Sequence, residues 1–376
     1  MIPKKHLPVI VAVCGDPGGA KAVAPVINLL RSDARVQVRA MAYREACHLW
    51  KQQGIEYTEI SEEMTACDIQ SLLKEIMPSL LLTGTSFNGI GLERLFVDEA
   101  RRLAIPSLTI MDFWSHYCER FCDHEGNLSS LPDRVAVIDE RMKEEMIEAG
   151  FDPMSLVITG NPAYDDLYRW KQNFGPDSIA GLRKSLGIGH DDLMVLFASQ
   201  PLSALYGTDP SHPLYPGYTE MSVLASLLRS LEEPGFLVNR KIFLIIRPHP
   251  REKPQDFLPV KSDRVPVIVS TEGNSRELVM AADLVVGMTT ALLIEACCLG
   301  RIVVSLQPGI RTADPLPTNR MGLSIGVYSE DAISAVIKDV LSNTEKHRLL
   351  VQKLKKVKIN GRATERVAQC IYDMLS

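Results

Sequence analysis

The sequence predicts a two-domain α/β protein with paired parallel sheets and its chemistry in the cleft between the two halves. Three observations carry this expectation. At 376 residues the chain is longer than one hydrophobic core usually organises. Short apolar, β-branched runs alternate with stretches whose apolar residues recur at helical spacing, the pattern of successive βαβ units. That pattern breaks at Gly175-Pro176-Asp177, a plausible linker, and then restarts.

In the first half, Leu7–Cys14 is a valine-rich run ending at Gly15-Asp16-Pro17-Gly18-Gly19, as in a strand buried on both faces. Ala20–Arg31 reads as a helix, Val36–Ala42 as a strand, Tyr43–Gln53 as a helix and Glu56–Ile60 as a short strand. A helix over Cys67–Ile76 precedes the strand Ser79–Thr83, which ends in Gly84-Thr85-Ser86. Leu92–Leu103 is helical, and the strand Ser107–Met111 runs into Asp112-Phe113-Trp114. Arg134–Ile138, Arg141–Ala149 and Leu156–Thr159 give strand, helix and strand, followed by a helix over Asp165–Asn173. A doubly wound sheet with right-handed crossovers follows.

After the linker, strands are expected at Leu193–Ala198, Lys241–Ile246, Val265–Val269, Leu284–Gly287 and Ile302–Leu306. Helices fall at Thr219–Leu231, Asn274–Ala282 and Thr290–Leu299, and the tail from Glu330 reads as three helical stretches divided near Asn343 and Gly361. The domains are therefore placed at residues 1–170 and 171–360, with a terminal helix at 361–376 packing back on the first. The stretch Ser199–Tyr218, rich in Pro, Ser and Gly, exceeds an ordinary connection and is read as functional or mobile.

Composition narrows the function. A 46% hydrophobic and 23% charged chain is ordinary for a soluble globular protein, and a net charge of -5 leaves no electrostatic footprint for nucleic acid. The apolar run near the start is too short for a membrane span and leads into a glycine-rich turn, so it reads as a first strand and not a leader. Eight cysteines are then expected as reduced thiols in a cytoplasmic protein.

In open parallel sheets, ligands sit beyond the carboxyl ends of the strands. The candidates are Gly15–Gly19, Gly84–Asn88 and Asp112–His116 in the first half. In the second they are Ser199-Gln200, Arg247–Arg251, Met288–Ala291 and Gln307–Arg311. The glycines of the first turn, Gly18 and Gly19 among them, let backbone N–H groups face an anion at a helix start; a tight strand-to-helix turn explains them equally. Arg247-Pro248-His249-Pro250-Arg251 is stiffened by two prolines and offers guanidinium forks and an imidazole. Thr289 and Thr290 suit either helix capping or phosphate contact, and Glu295 lies one turn further on. His116, Cys118, Cys122 and His124 fall close together, but their spacing matches no zinc pattern, so no metal is expected.

On these residues a family resemblance rests. Gly15–Ile27 (GDPGGAKAVAPVI) is similar to the opening of UDP-N-acetylglucosamine 2-epimerases. Val157–Pro162 (VITGNP) resembles their segment before the domain crossover. Ala281–Val286 with Glu295-Ala296 and Leu299-Gly300 resembles their late nucleotide-binding stretch. The resemblance implies a GT-B fold: two Rossmann-like domains with parallel sheets facing a cleft. The departures concern the chemistry. The epimerases' first-loop arginine is missing from Gly15–Gly19, their aspartate after the fourth strand is Thr85, and their histidine-arginine pair is Ser199-Gln200. Their serine-glycine-glycine is Thr289-Thr290-Ala291. Arg247–Pro250 and Thr289–Ala296 look instead like motifs of bacterial sialyl-, capsule- and glycerophosphate-polymer transferases.

The resemblance thus implies a glycosyltransferase-like enzyme with a nucleotide-activated sugar donor, a hydroxyl-bearing acceptor and no cofactor. Arg247, His249, Thr289 and Thr290 would stabilise the departing phosphate, and Glu295 would hold the ribose. Asp16 or Asp112 would serve as general base, with His116 a further candidate. Gly18, Gly19, Thr85, Ser86, Asn161, Ser199 and Gln200 complete the expected binding set. A divergent 2-epimerase and a non-catalytic nucleotide-sugar binder are the alternatives. Peripheral membrane association and oligomeric state are left open.

Overall fold

The computed structural model describes residues 7–87, 91–123, 125–233, 240–354 and 359–376. The chain forms two compact units, one holding the residues through Arg169 together with Ile359–Ser376, the other running from Trp170 to Lys358.

The first unit alternates strand and helix: β1 (Val9–Cys14), α1 (Pro17–Ser32), β2 (Gln37–Ala42), α2 (Glu45–Gln52), β3 (Thr58–Glu59), α3 (Ala66–Ile76) and β4 (Leu80–Thr83). It continues with α4 (Leu92–Arg102), β5 (Ser107–Ile110), α5 (Tyr117–Phe121), β6 (Arg134–Val137), α6 (Glu140–Glu148) and β7 (Leu156–Ile158). The seven strands pair in parallel in the order β3-β2-β1-β4-β5-β6-β7. Ile10, Val11, Ala12, Val13 and Cys14 are fully buried, as the valine-rich run requires of a strand covered on both faces. Chain order reverses between β1 and β4, which opens a crevice at their carboxyl ends. There α1 presses against the turn after β4. A Cβ on Gly84 would come within 2.8 Å of the Gly19 Cα, so neither position has room for a side chain.

The helix α7 (Asp165–Asn173) leads into the second unit. Gly175-Pro176-Asp177 is no linker there. Gly175 is the N-cap and Pro176 the first residue of α8 (Pro176–Ser185), a position where proline's fixed φ and missing N–H suit a helix start. Next come β8 (Leu193–Ala198), α9 (Leu202–Tyr206), α10 (Glu220–Glu232), β9 (Ile242–Arg247), β10 (Val267–Val269), α11 (Ser275–Ala281), β11 (Leu284–Gly287) and α12 (Ala291–Cys298). The unit closes with β12 (Val303–Leu306), α13 (Pro317–Arg320), β13 (Ile325–Val327), α14 (Ile333–Ser342) and α15 (Thr344–Leu354). Its six parallel strands follow the order β10-β9-β8-β11-β12-β13, with the reversal between β8 and β11. The sixth strand, β13, was not expected from the sequence, where Gly326 interrupts its apolar run.

The terminal helix α16 (Ala363–Leu375) packs on α1 within the first unit. Its free N-terminal amides are capped from across the chain. The buried Asp165 carboxylate accepts from Ala363 N at 3.0 Å, Thr364 N at 2.7 Å and Thr364 Oγ1 at 2.6 Å. Arg366 adds a 2.6 Å bond to the Thr159 carbonyl, and Tyr372 donates to Asp33 at 2.8 Å.

Candidate functional site

At the first unit's switch point a set of polar groups is tied into one network. Asp16 stands at the N-cap of α1, but its side chain caps nothing. Its Oδ2 accepts from Phe87 N at 2.9 Å, and its Oδ1 faces Arg44 at 3.4 Å. Asp112, after β5, accepts at Oδ1 from the Thr85 hydroxyl at 2.8 Å and from Arg120 Nη1 at 2.7 Å. Arg120 also donates to Thr85 Oγ1. The other carboxylate oxygen, Oδ2, makes no hydrogen bond among the described residues and lies against Gly18, where a Cβ would fall 1.7 Å from it. Gly18 is thus required by the approach of Asp112. Asn161 donates to the Asp112 carbonyl at 3.0 Å and fixes the same loop from β7. His116, exposed and in the left-handed region at φ 57°, stacks on Phe87 with ring centres 3.8 Å apart.

Beneath this layer lies a carboxyl the sequence reading did not single out. Glu93 is 4% exposed and accepts at Oε1 from Gly15 N (2.8 Å) and Ser86 Oγ (2.8 Å), and at Oε2 from the Tyr43 hydroxyl (2.5 Å). Tyr43 in turn accepts from Leu92 N at 3.1 Å. Burial raises the Glu93 pKa above the usual carboxylate range, against the lowering effect of those hydrogen bonds. Burial and the neighbouring Glu93 also push the Tyr43 hydroxyl far above its ordinary value. Ser86, expected to bind substrate, spends its hydroxyl on this network. Between the two layers a cavity of about 10 Å³, bordered by Thr85, Glu93 and Arg120, has room for about one water.

In the second unit the switch point is bridged by side chains from β8 and β11. Gln200 Oε1 accepts from Thr289 N at 3.1 Å and from its hydroxyl at 2.9 Å. Thr290 is the N-cap of α12, yet its hydroxyl makes no capping bond, so the first amides of that helix are not met by it. Ser199 donates to Glu252 Oε1 at 2.8 Å, and Glu252 Oε2 accepts from His249 N at 2.6 Å, which pins the Pro-His-Pro loop to β8. His249 Nδ1 accepts from Arg251 N at 3.1 Å, leaving the other ring nitrogen for an outside partner. Burial, and secondarily Arg251, lowers the His249 pKa and so favours neutral imidazole; burial raises that of Glu252. Glu295 receives Arg276 Nε at 3.2 Å.

Arg247 has a different place from the one its motif suggests. Its guanidinium donates to the carbonyls of Ser270 (3.1 Å), Glu272 (2.7 Å) and Gly273 (2.8 Å) and to Ser275 Oγ (3.2 Å). Four hydrogen bonds nearly exhaust its five N–H donors, and they brace the loop between β10 and α11.

The structure thus brings Asp16, Gly18, Gly19, Thr85, Ser86, Asp112, His116 and Asn161 together at one sheet edge. It brings Ser199, Gln200, His249, Thr289 and Thr290 together at the other. Glu93, Tyr43 and Arg120 were missed. Glu93 had a signal, since it shares the apolar helical stripe of Phe96, Val97 and Ala100. Arg120 had none, lying on a five-residue helix within the Cys118–Cys122 stretch. His124 and Asn88 lie outside the described residues. Among those described, no group of three or more His, Cys, Asp or Glu side chains is arranged to hold a metal ion, and no helix is long and apolar enough to cross a membrane.

No protein-family model matches the sequence, and no curated protein matches it either. Solved structures do match. The UDP-GlcNAc 2-epimerase of Neisseria meningitidis, bound to UDP-GlcNAc, is 15% identical with a TM-score of 0.67, over 97% of this chain and 100% of that one. MurG of Acinetobacter baumannii is 13% identical with a TM-score of 0.63, over 97% and 99%. HepE of Anabaena, in complex with UDP, is 14% identical with a TM-score of 0.60, over 98% and 99%. The likeness runs through both units, and the chain has the GT-B fold of two Rossmann-like α/β units with parallel sheets.

Proposed function

We propose that the protein is a nucleotide-sugar enzyme of transferase type, with the donor's nucleotide held by the second unit and a hydroxyl-bearing acceptor by the first. The observation that carries this is the switch point of the second unit. The first amides of α12, not met by the Thr290 hydroxyl, the amide N–H groups of Gln200 and the free ring nitrogen of a neutral His249 are donors available to an anion. A leaving nucleoside phosphate develops negative charge, and such donors stabilise it most where water is excluded. Glu295, one turn into α12, is assigned to the ribose, with Arg276 orienting its carboxylate. In the first unit Asp112 is assigned as general base. Arg120 and Thr85 hold one of its oxygens, and the other has no hydrogen-bond partner among the described residues.

The choice of transferase over epimerase rests on what occupies the replaced positions. Thr85 gives its hydroxyl to Asp112, Ser199 to Glu252, and Gln200 accepts from Thr289. Each is a supporting group, and none is a titratable one. Because two of the similar structures hold UDP or UDP-GlcNAc, those are the probes. Calorimetry should detect UDP binding, and Glu295→Gln should weaken UDP while barely affecting pyrophosphate. Equal losses for both ligands would confine Glu295 to the fold. Incubation with UDP-GlcNAc alone should give neither its manno isomer nor free UDP at an enzymatic rate; efficient formation of the manno isomer would return the reading to the epimerases.

A further inference from the structure

Past the ends of β12 and β13, and apart from the Gln200–Thr289 bridge, the second unit carries an open groove of about 780 Å³, within the range of sites that hold small ligands. It runs between the outer face of α10, the turn after β12 and the segment after β13. The backbone builds it. Gly217 lies so close to the turn after β12 that a Cβ there would fall 2.1 Å from the Gly309 oxygen. Arg311 N donates to the Pro216 carbonyl at 3.2 Å, and Gly309 N to the Tyr328 carbonyl at 2.8 Å. The long stretch between β8 and α10 is thereby fastened along the groove's end.

The lining has a definite chemistry. Tyr215, Tyr218 and Tyr328 border it. The Tyr328 hydroxyl is anchored on Asp314 at 2.7 Å and that of Tyr218 faces Gln307 at 3.4 Å, so the rings are held while Tyr328 stays nearly half exposed. The held and exposed Tyr328 ring offers apolar contact at little entropic cost, while the buried Tyr218 backs the groove. On the polar side Arg229 Nη2 meets Glu330 at 2.5 Å and Ser226 at 2.9 Å and keeps its remaining N–H donors, and Asp331 adds a second carboxylate. One arginine faces two carboxylates, and Arg311 beside Tyr215 brings the balance to neutral. Phosphates and polyanions gain nothing from such a surface. A sugar ring does: its hydroxyls donate and accept at once, matching an arginine-carboxylate pair, and its C–H face packs on aromatic carbon.

We infer that this groove binds a neutral oligosaccharide. The inference stands apart from the nucleotide-sugar reading, because none of the lining residues is among those assigned there to the nucleotide, the ribose or the general base. The test is titration of the intact protein with chitotetraose, maltotetraose and cellotetraose by saturation-transfer NMR and calorimetry, beside a heparin tetrasaccharide and UDP. At least one neutral tetrasaccharide should bind, and Ala225→Trp, which fills the groove from the exposed face of α10, should weaken it about tenfold or more. Tyr328→Ala should weaken it as well and serves if the tryptophan variant misfolds. UDP binding should be unchanged in both. Binding by none of the three, binding that survives both variants, or heparin binding at the same place would overturn the inference. Loss of UDP binding alone would count only against the proposed donor site.

Discussion

The two switch points share a topology and differ in what fills them. In the first unit the crevice between β1 and β4 is underlaid by buried charge: Glu93, Tyr43 and Ser86 below, Asp112, Thr85 and Arg120 above. In the second, the crevice between β8 and β11 is bridged by a single glutamine, and a helix start faces outward uncapped. Buried networks fix geometry because every unpaired member is costly, whereas unspent donors at a half-exposed helix start are receptive. On the proposed reading, the first edge positions a reacting group and the second captures the ligand.

The largest effect should come from breaking the first network at its base. Glu93→Ala strands Gly15 N, Ser86 and Tyr43 without their acceptor and should cost about 3 kcal/mol or more in denaturant unfolding, at about 1–3 kcal/mol for each buried donor left unsatisfied. Glu93→Gln keeps an acceptor oxygen and should cost much less. Because burial raises the Glu93 pKa, its contribution is complete below about pH 4.3, the unfolded value, and is lost as pH rises through the folded one. Wild type should therefore lose stability relative to Glu93→Gln as pH rises; parallel pH curves would show that Glu93 is not the group responsible.

Asp112→Asn comes next. It keeps the shape and removes the proposed base, so turnover with donor and acceptor should fall about 10²-fold or more with UDP affinity unchanged. A drop in UDP affinity of the same size would mean that the two edges do not divide the work as argued. Arg247→Ala is a smaller perturbation that tests the second edge. A brace predicts about 1–3 kcal/mol of lost stability from three deserted carbonyls, with pyrophosphate affinity held. Lost pyrophosphate binding at full stability would restore the phosphate role that the Arg-Pro-His-Pro motif suggests.

The smallest effect is the pH response of His249, opposite in sign to that of Glu93. Burial and Arg251 lower its folded pKa, so its contribution is complete above about pH 6.5 and fades as pH falls through the folded value. His249→Gln should flatten the urea midpoint across that window. An unchanged slope would place the acid sensitivity elsewhere.

Much of this was legible because it depends on local pattern. The apolar runs Leu193–Ala198 and Leu284–Gly287 read as buried strands and are β8 and β11, and the turns at their ends marked the strand ends where Gln200 and Thr289 meet. The sequence determined the fold class, the order of βα units and which loops gather at each edge, since these follow from apolar periodicity and from glycine and proline punctuation. Tertiary structure alone decided how the side chains are spent. Arg247 turns to three carbonyls, Asp165 caps a helix nearly 200 residues away, and Glu93 sits under Gly15 instead of in solvent. Each of those choices depends on which backbone groups the packed units leave without partners. No local pattern carries that information, because the partners come from distant segments.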